Sequence, residues 1–271
     1  MKLLKADIKK AIRELGLNKK VVCFHSSYRS FGEVDNGPQT IIEAFLEEEC
    51  TLLVPTFSAI YNVIPPKDQW IQRNGCNYGN LKDIGKNLTY SVDSNEINDT
   101  MGIIPKLILH MEERKRGYHP LNSFTAIGPL ADNLIKGQNP LDVYAPIREI
   151  AKLNGYFVLM GVDLTRLTAI HYAEELAGRR LFRRWANNGD GVPMQVAVGA
   201  CSQGFNNFEQ QVKTIENRSI VGHSTWRVFP SQELINVITK EIHSNPEVTR
   251  CGNIDCERCR DIVAGGPVLD D

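Results

Sequence analysis

Residues 8–55 read IKKAIRELGLNKKVVCFHSSYRSFGEVDNGPQTIIEAFLEEECTLLVP, and the period of their apolar residues decides the fold class. Ile8, Ile12 and Leu15 share one helical face, and Gly16 stands where a C-cap glycine would. Val21–His25 is a short apolar run that reads as a buried strand. After a polar loop, Pro38 supplies a first-turn proline for a helix carrying Ile41, Ile42, Phe45 and Leu46. Thr51–Val54 is a second strand, stopped by Pro55. Helix, strand, helix, strand with short connections predicts an α/β fold with parallel pairing.

Outward from this stretch, residues 58–99 break the rhythm. They are rich in Asn, Gly and Asp, contain Pro65-Pro66 and show no sustained period. A loop this long is either a lid or binding loop, or a set of irregular hairpins over a sheet edge. Regularity returns with a helix over 102–113, strands at Ser123–Gly128 and Tyr156–Gly161, and a helix over Thr168–Ala177. A β-rich stretch (Met194–Cys201), a helix near Asn207–Thr214, a strand at Trp226–Phe229 and a closing helix (Gln232–His243) complete the pattern. No linker divides the chain. We expect one α/β domain over residues 1–271, a mixed central sheet flanked by helices, with a cysteine-containing C-terminal extension from about residue 245.

The composition fits such a domain. The chain has 271 residues, 42% of them hydrophobic and 23% charged, with a net charge of −1. That balance gives no overall field toward nucleic acid or an acidic membrane. No window approaches the roughly 18 consecutive apolar residues of a membrane span. The lysine-rich start has no apolar segment of the signal-peptide kind. The expectation is a cytoplasmic protein with neither nucleic acid nor membrane as partner.

Seven cysteines, an odd number, suit a reducing compartment. Cys23, Cys50, Cys76 and Cys201 are scattered, whereas Cys251, Cys256 and Cys259 cluster. A structural zinc site takes four ligands, and a fourth would have to come from Cys201 or His243. On sequence alone we expect reduced thiols, no metal, and activity indifferent to chelation.

Familiar signatures are missing: there is no P-loop, no dinucleotide-binding G-x-G-x-x-G and no H-E-x-x-H. Gly222-His223-Ser224-Thr225-Trp226 starts like a nucleophile elbow, but Trp226 stands where the turn needs glycine. A stronger constellation is Leu164–Glu175, directly after the apolar strand at Tyr156–Gly161, where α/β folds place their sites. On a helix, Glu174 and Glu175 lie three and four residues past His171, so either carboxylate can flank the imidazole. A carboxylate-held histidine is a common general base; a solvated pair on a helix surface has the same spacing. His25–Gly32 follows the first strand with hydroxyls, amides and Arg29. His119–Phe124 leads into another strand just after the basic run Arg114-Lys115-Arg116, which reads as a solvated helix end or a phosphate site.

Taken together, these segments resemble the aminoglycoside 3-N-acetyltransferases. The resemblance rests on His25–Gly32, Leu53–Ser58, Met101-Gly102, His119–Gly128, Gly161–Asp163 and Thr168–Glu174, extended more weakly by Val221-Gly222 and Arg227–Phe229. It spans roughly residues 20–240 in the expected order. Arg116-Gly117-Tyr118-His119 departs from the usual Arg-Ser-x-His, and residues 58–99 look divergent.

The resemblance implies acetyl-CoA as co-substrate and transfer of its acetyl group to an amine, the 3-amino group of a 2-deoxystreptamine ring. It implies His171 as base with Glu174 supporting it. It places CoA against Ser26, Ser27, Arg29, Ser30, Phe31 and Gly32, against Thr56 and Phe57, and against His119, Ser123 and Phe124. A polycationic acceptor needs acidic groups, for which Asp163 and Glu175 are available. An acetyltransferase for another amine or amino sugar, or a CoA-binding protein of the same fold without turnover, would carry the same segments.

Overall fold

A computed structural model of the chain describes residues 2–269. Its strands are β1 (Val21–Ser26), β2 (Thr51–Pro55), β3 (Asn62–Val63), β4 (Lys115–Arg116), β5 (Phe124–Ile127), β6 (Tyr156–Met160), β7 (Phe182–Asn187), β8 (Pro193–Val198), β9 (Asn217–Val221) and β10 (Ser224–Pro230). Seven form the central sheet in the order β4-β5-β2-β1-β6-β10-β9, and β3-β7-β8 form a small second sheet. β1 pairs parallel with both β2 and β6, with His25 opposite Leu159, and the outer pairings are antiparallel. The sheet is therefore mixed, as expected.

Why β1 and β6 are apolar at successive positions follows from their placement. Val21, Cys23, Phe157 and Leu159 face one core layer, and Val22, Phe24, Val158 and Met160 face the other. A strand covered on both faces needs no polar alternation. The first layer is closed by the helices Ala145–Lys152, Ala169–Leu176 and Ser231–Ser244, the second by Lys5–Glu14, Gln39–Glu47 and Ile103–Leu109. Pro105 lies in the first turn of its helix, where it breaks no intrahelical hydrogen bond.

Residues 58–99 lie against the small sheet, held by side chains rather than by a long ladder. Asn187 Nδ2 donates to the carbonyls of Gly85, Lys86 and Leu88, and Trp185 Nε1 donates to Gln69 at 2.9 Å. Arg116 corrects the solvated reading of its basic run. It is buried in β4 and donates to the carbonyls of Thr56, Ser94 and Glu96, so one guanidinium ties the loop to the central sheet. The C-terminal segment is docked as well. Asp261 accepts from the Gly75 amide at 2.9 Å, and Cys259 and Ile262 are buried. β7 and β9 were not anticipated, and the expected helix near 207–214 is a 3-10 turn running into the short helix Glu209–Val212.

Candidate active site

Because β1, β2 and β6 run parallel, their C-terminal ends open on one side of the sheet, the usual location for a site in such a fold. The segments beyond them, Ser26–Arg29, Phe57, Val162 and Thr165–Thr168, border a cavity of about 1190 Å³. His171 lines this cavity from the helix Ala169–Leu176.

The imidazole is held by a carboxylate and two aromatic rings. Nδ1 lies 2.8 Å from Oε2 of Glu174, which is fully buried. Oε1 of Glu174 accepts from Arg179 Nη1 at 2.8 Å, and Arg179 also donates to Thr249 Oγ1 and the Pro246 carbonyl. The ring stacks on Tyr144, with centroids 6.1 Å apart, and meets the edge of Phe205 at 4.8 Å. A carboxylate can only accept, so the ring proton is drawn to Nδ1 and the Nε2 lone pair is left for another partner. The solvated-pair reading does not hold, because both His171 and Glu174 are buried.

Residues expected to touch CoA fall into two groups. Ser26, Ser27, Arg29 and Phe57 line the cavity. Ser30, Phe31, Gly32, Thr56, His119, Ser123 and Phe124 lie outside its lining. Phe31, Thr56, His119, Ser123 and Phe124 are buried. Ser30 donates to the Ser27 carbonyl, and its hydroxyl lies 2.8 Å from that of Ser224. Ser123 donates to the Thr56 carbonyl at 2.9 Å and accepts from Arg116 Nε at 3.0 Å. His119 accepts the Asn122 amide at Nδ1 and donates from Nε2 to the Ala197 carbonyl. Burial lowers its pKa to about 4, so it is neutral at pH 7. Ser224 is itself fully buried, so the apparent nucleophile elbow is packing.

Asp163 caps the turn Leu164–Arg166, accepting from the Thr165 amide and hydroxyl and from Asn206. Glu175 is half-buried, and that burial, with Asp142 next in effect, raises its pKa. Neither belongs to the cavity lining. Sequence reasoning missed Arg179, Tyr144 and Phe205, which orient His171, and Arg184 and Arg258, which join Arg29 and Arg166 on the cavity wall. Among the described lining residues there is no Asp or Glu.

A model of the family described as aminoglycoside 3-N-acetyltransferase matches residues 23–243. The chain belongs to this family. It is 31% identical over 188 residues to aminoglycoside N(3)-acetyltransferase IX of Micromonospora chalcea, covering 65% of this chain and 63% of that protein. It is 30% identical over 187 residues to the prophage-derived aminoglycoside N(3')-acetyltransferase-like protein YokD of Bacillus subtilis, covering 63% of this chain and 64% of the relative. The matches thus span just under two thirds of these curated relatives. Among solved structures, the apoenzyme of aminoglycoside acetyltransferase AAC(3)-IVa superposes with a TM-score of 0.77 at 22% identity, over 98% of both chains. A complex of AAC-IIIb with CoASH gives 0.73 at 15% identity, over 90% of this chain and 97% of that one. At such identities these likenesses speak for the fold.

Proposed function

We propose that this family member transfers the acetyl group of acetyl-CoA to an amino group of an aminoglycoside, the 3-amino group of its 2-deoxystreptamine ring. The observation that carries the reading is His171, held at Nδ1 by a buried carboxylate and lining a cavity large enough for two substrates. Nε2 of His171 takes a proton from the incoming amine, which is mostly protonated at neutral pH and cannot attack until it loses one. The freed amine attacks the thioester carbon, and the tetrahedral species collapses with loss of the second nitrogen proton to solvent and cleavage of the C–S bond, CoA leaving as its thiol with the proton that His171 took up. Neither Ser nor Cys forms an intermediate, the gain coming from holding both substrates together. The hydroxyls of Ser26 and Ser27 are the candidates for the thioester oxygen. Arg29, Arg166, Arg184 and Arg258 suit the phosphates of CoA. A CoA complex of one structural neighbour and a gentamicin complex of another support both ligands. No helix of the described residues is long and apolar enough to cross a membrane, and a cytoplasmic location matches the co-substrate.

A second reading keeps the reaction and changes the acceptor to an amine of lower positive charge. It is favoured by a wall with four arginines and no carboxylate. Release of CoA thiol, measured with acetyl-CoA against aminoglycosides and against simple amines and amino sugars, decides. Turnover on aminoglycosides supports the first reading, and turnover only on the others supports the second. CoA binding without turnover on either set would sink both.

A further inference from the structure

We propose that Cys201, Cys251, Cys256 and Cys259 bind one zinc ion in a closed tetrathiolate site that fastens the C-terminal segment to the wall of the His171 cavity. The four sulfurs lie within 4.8 Å of one another, although Cys201 is far from the other three in sequence. Around a tetrahedral zinc with bonds of about 2.3 Å, neighbouring sulfurs stand about 3.8 Å apart, so little movement closes the site. All four are free thiols, and the described potential ligands within the group are all sulfur. Soft sulfur donors select zinc over magnesium or calcium. Four protein ligands leave no open position, so the ion is structural and takes no part in acetyl transfer.

The local backbone is shaped for this. Gly252, at φ +77°, turns the chain directly after Cys251, and the Cys256 amide donates to the Asn253 carbonyl at 3.1 Å. Cys256 then caps the helix Glu257–Val263, whose first turn carries Cys259. Between these two, Arg258 donates to the carbonyls of Gly199 and Ala200, the residues just before Cys201. Gly199 lies so close to the site that a Cβ there would fall 2.7 Å from the His171 ring. The metal and Arg258 therefore hold one short segment, residues 199–201, against the imidazole. This replaces the expectation of unligated thiols: the fourth ligand is Cys201, brought in by the fold, and His243 is not a member of the group.

The proposal is independent of the acceptor and of the reaction. Elemental analysis of the full chain, purified without chelator, is expected to find close to one zinc per chain. Exchange for cobalt(II) is expected to give the visible bands and sulfur-to-metal charge transfer of a tetrahedral thiolate site. Cys256→Ser is expected to lose the zinc and lower Tm, whereas Cys76→Ser keeps both. If Cys256→Ser fails to fold, a mercurial added to the wild-type chain is expected to release the zinc as four thiols react, read with a metal-sensitive dye. Folded wild-type protein that contains no zinc and takes up neither zinc nor cobalt after reduction would overturn the proposal. So would stoichiometric zinc retained in folded Cys256→Ser.

Discussion

Arg179 donates from Nη1 to Oε1 of Glu174 at 2.8 Å, which leaves Oε2 to face Nδ1 of His171 at the same distance. The carboxylate is thus polarised between a permanent cation and an imidazole, and it cannot turn without losing one of them. Arg179 is itself buried and anchored by Thr249 and Pro246. In the proposed mechanism it is a positioning residue: it touches the carboxylate beside His171, not the cavity.

Glu174→Gln is expected to do more than remove a charge. Arg179 demands an acceptor, so the new amide turns its oxygen to Arg179 and its NH₂ toward His171 Nδ1. The ring must then carry its proton on Nε2, and the atom facing the amine can no longer accept one. We expect a loss of about 10²- to 10⁴-fold in kcat, the range of general-base catalysis, with CoA affinity unchanged. Glu175→Gln, whose carboxylate lies outside the cavity lining, is expected to keep turnover within a few fold. Steady-state kinetics of both variants decide, and the reverse ranking would make Glu175 the partner.

His171→Ala is expected to abolish acetyl transfer while CoA still binds, because in the proposed mechanism the imidazole serves the amine and not the thioester carrier. Isothermal titration with CoA beside a thiol-release assay separates the two effects. Near-normal turnover would remove His171 from the mechanism.

Gly199→Ala tests the geometry of the same ring from the opposite side. The added Cβ would lie 2.4 Å from Tyr144 Oη and 2.7 Å from His171 Cδ2, closer than real atoms approach, so the imidazole must tilt or the strand end must retreat. A small displacement of a catalytic group costs about 10²-fold, and we expect a loss of that order in kcat with a KM for acetyl-CoA nearly unchanged. Tm is expected to fall by only a few degrees. A variant with full activity would show that the wall gives way and the ring does not.

How much of this was legible in the sequence differs from element to element. Val21–Ser26 and Tyr156–Met160 were visible because both of their faces are buried, which writes continuous apolar runs. β9 was not, since Asn217 and Arg218 are exposed at a sheet edge and show no apolar period. His171 and Glu174 could be paired from helical spacing alone, but spacing could not choose between Glu174 and Glu175. Burial chose. Arg179 lies just beyond the helix, after Gly178, so periodicity gave no reason to turn it back onto Glu174. The hydroxyls of the His25–Gly32 and His119–Phe124 segments were found as groups, yet which of them reach the cavity depends on backbone direction over single residues. The fourth cysteine of the C-terminal cluster is a purely tertiary fact, for nothing local to Cys201 points to residues 251–259.

Stability below neutral pH offers a last test, one that needs no substrate. His25 and His119 are both buried, and both are lowered to about 4, His25 by burial first and by Arg166 second, His119 by burial. In the unfolded chain each returns to about 6.5. Between those values the unfolded state binds more protons than the folded one, so stability rises with pH there. It is fully present above about 6.5 and is lost as pH falls toward 4, by on the order of 3 kcal/mol for each histidine. The buried Nε2 of His25 makes no hydrogen bond that would reward its protonation. Carboxylates with depressed values, such as Glu96 beside Tyr61, act lower down, below the unfolded carboxylate range of about 4.3. Urea unfolding at pH 7.5, 6.0 and 5.0 is therefore expected to show a steep decline before the carboxylates with depressed values titrate. His119→Asn is expected to lower stability at pH 7.5, through lost packing and the bond to the Ala197 carbonyl, but to flatten that decline. An equally steep slope in this variant and in His25→Asn would show that neither histidine is held neutral by the fold.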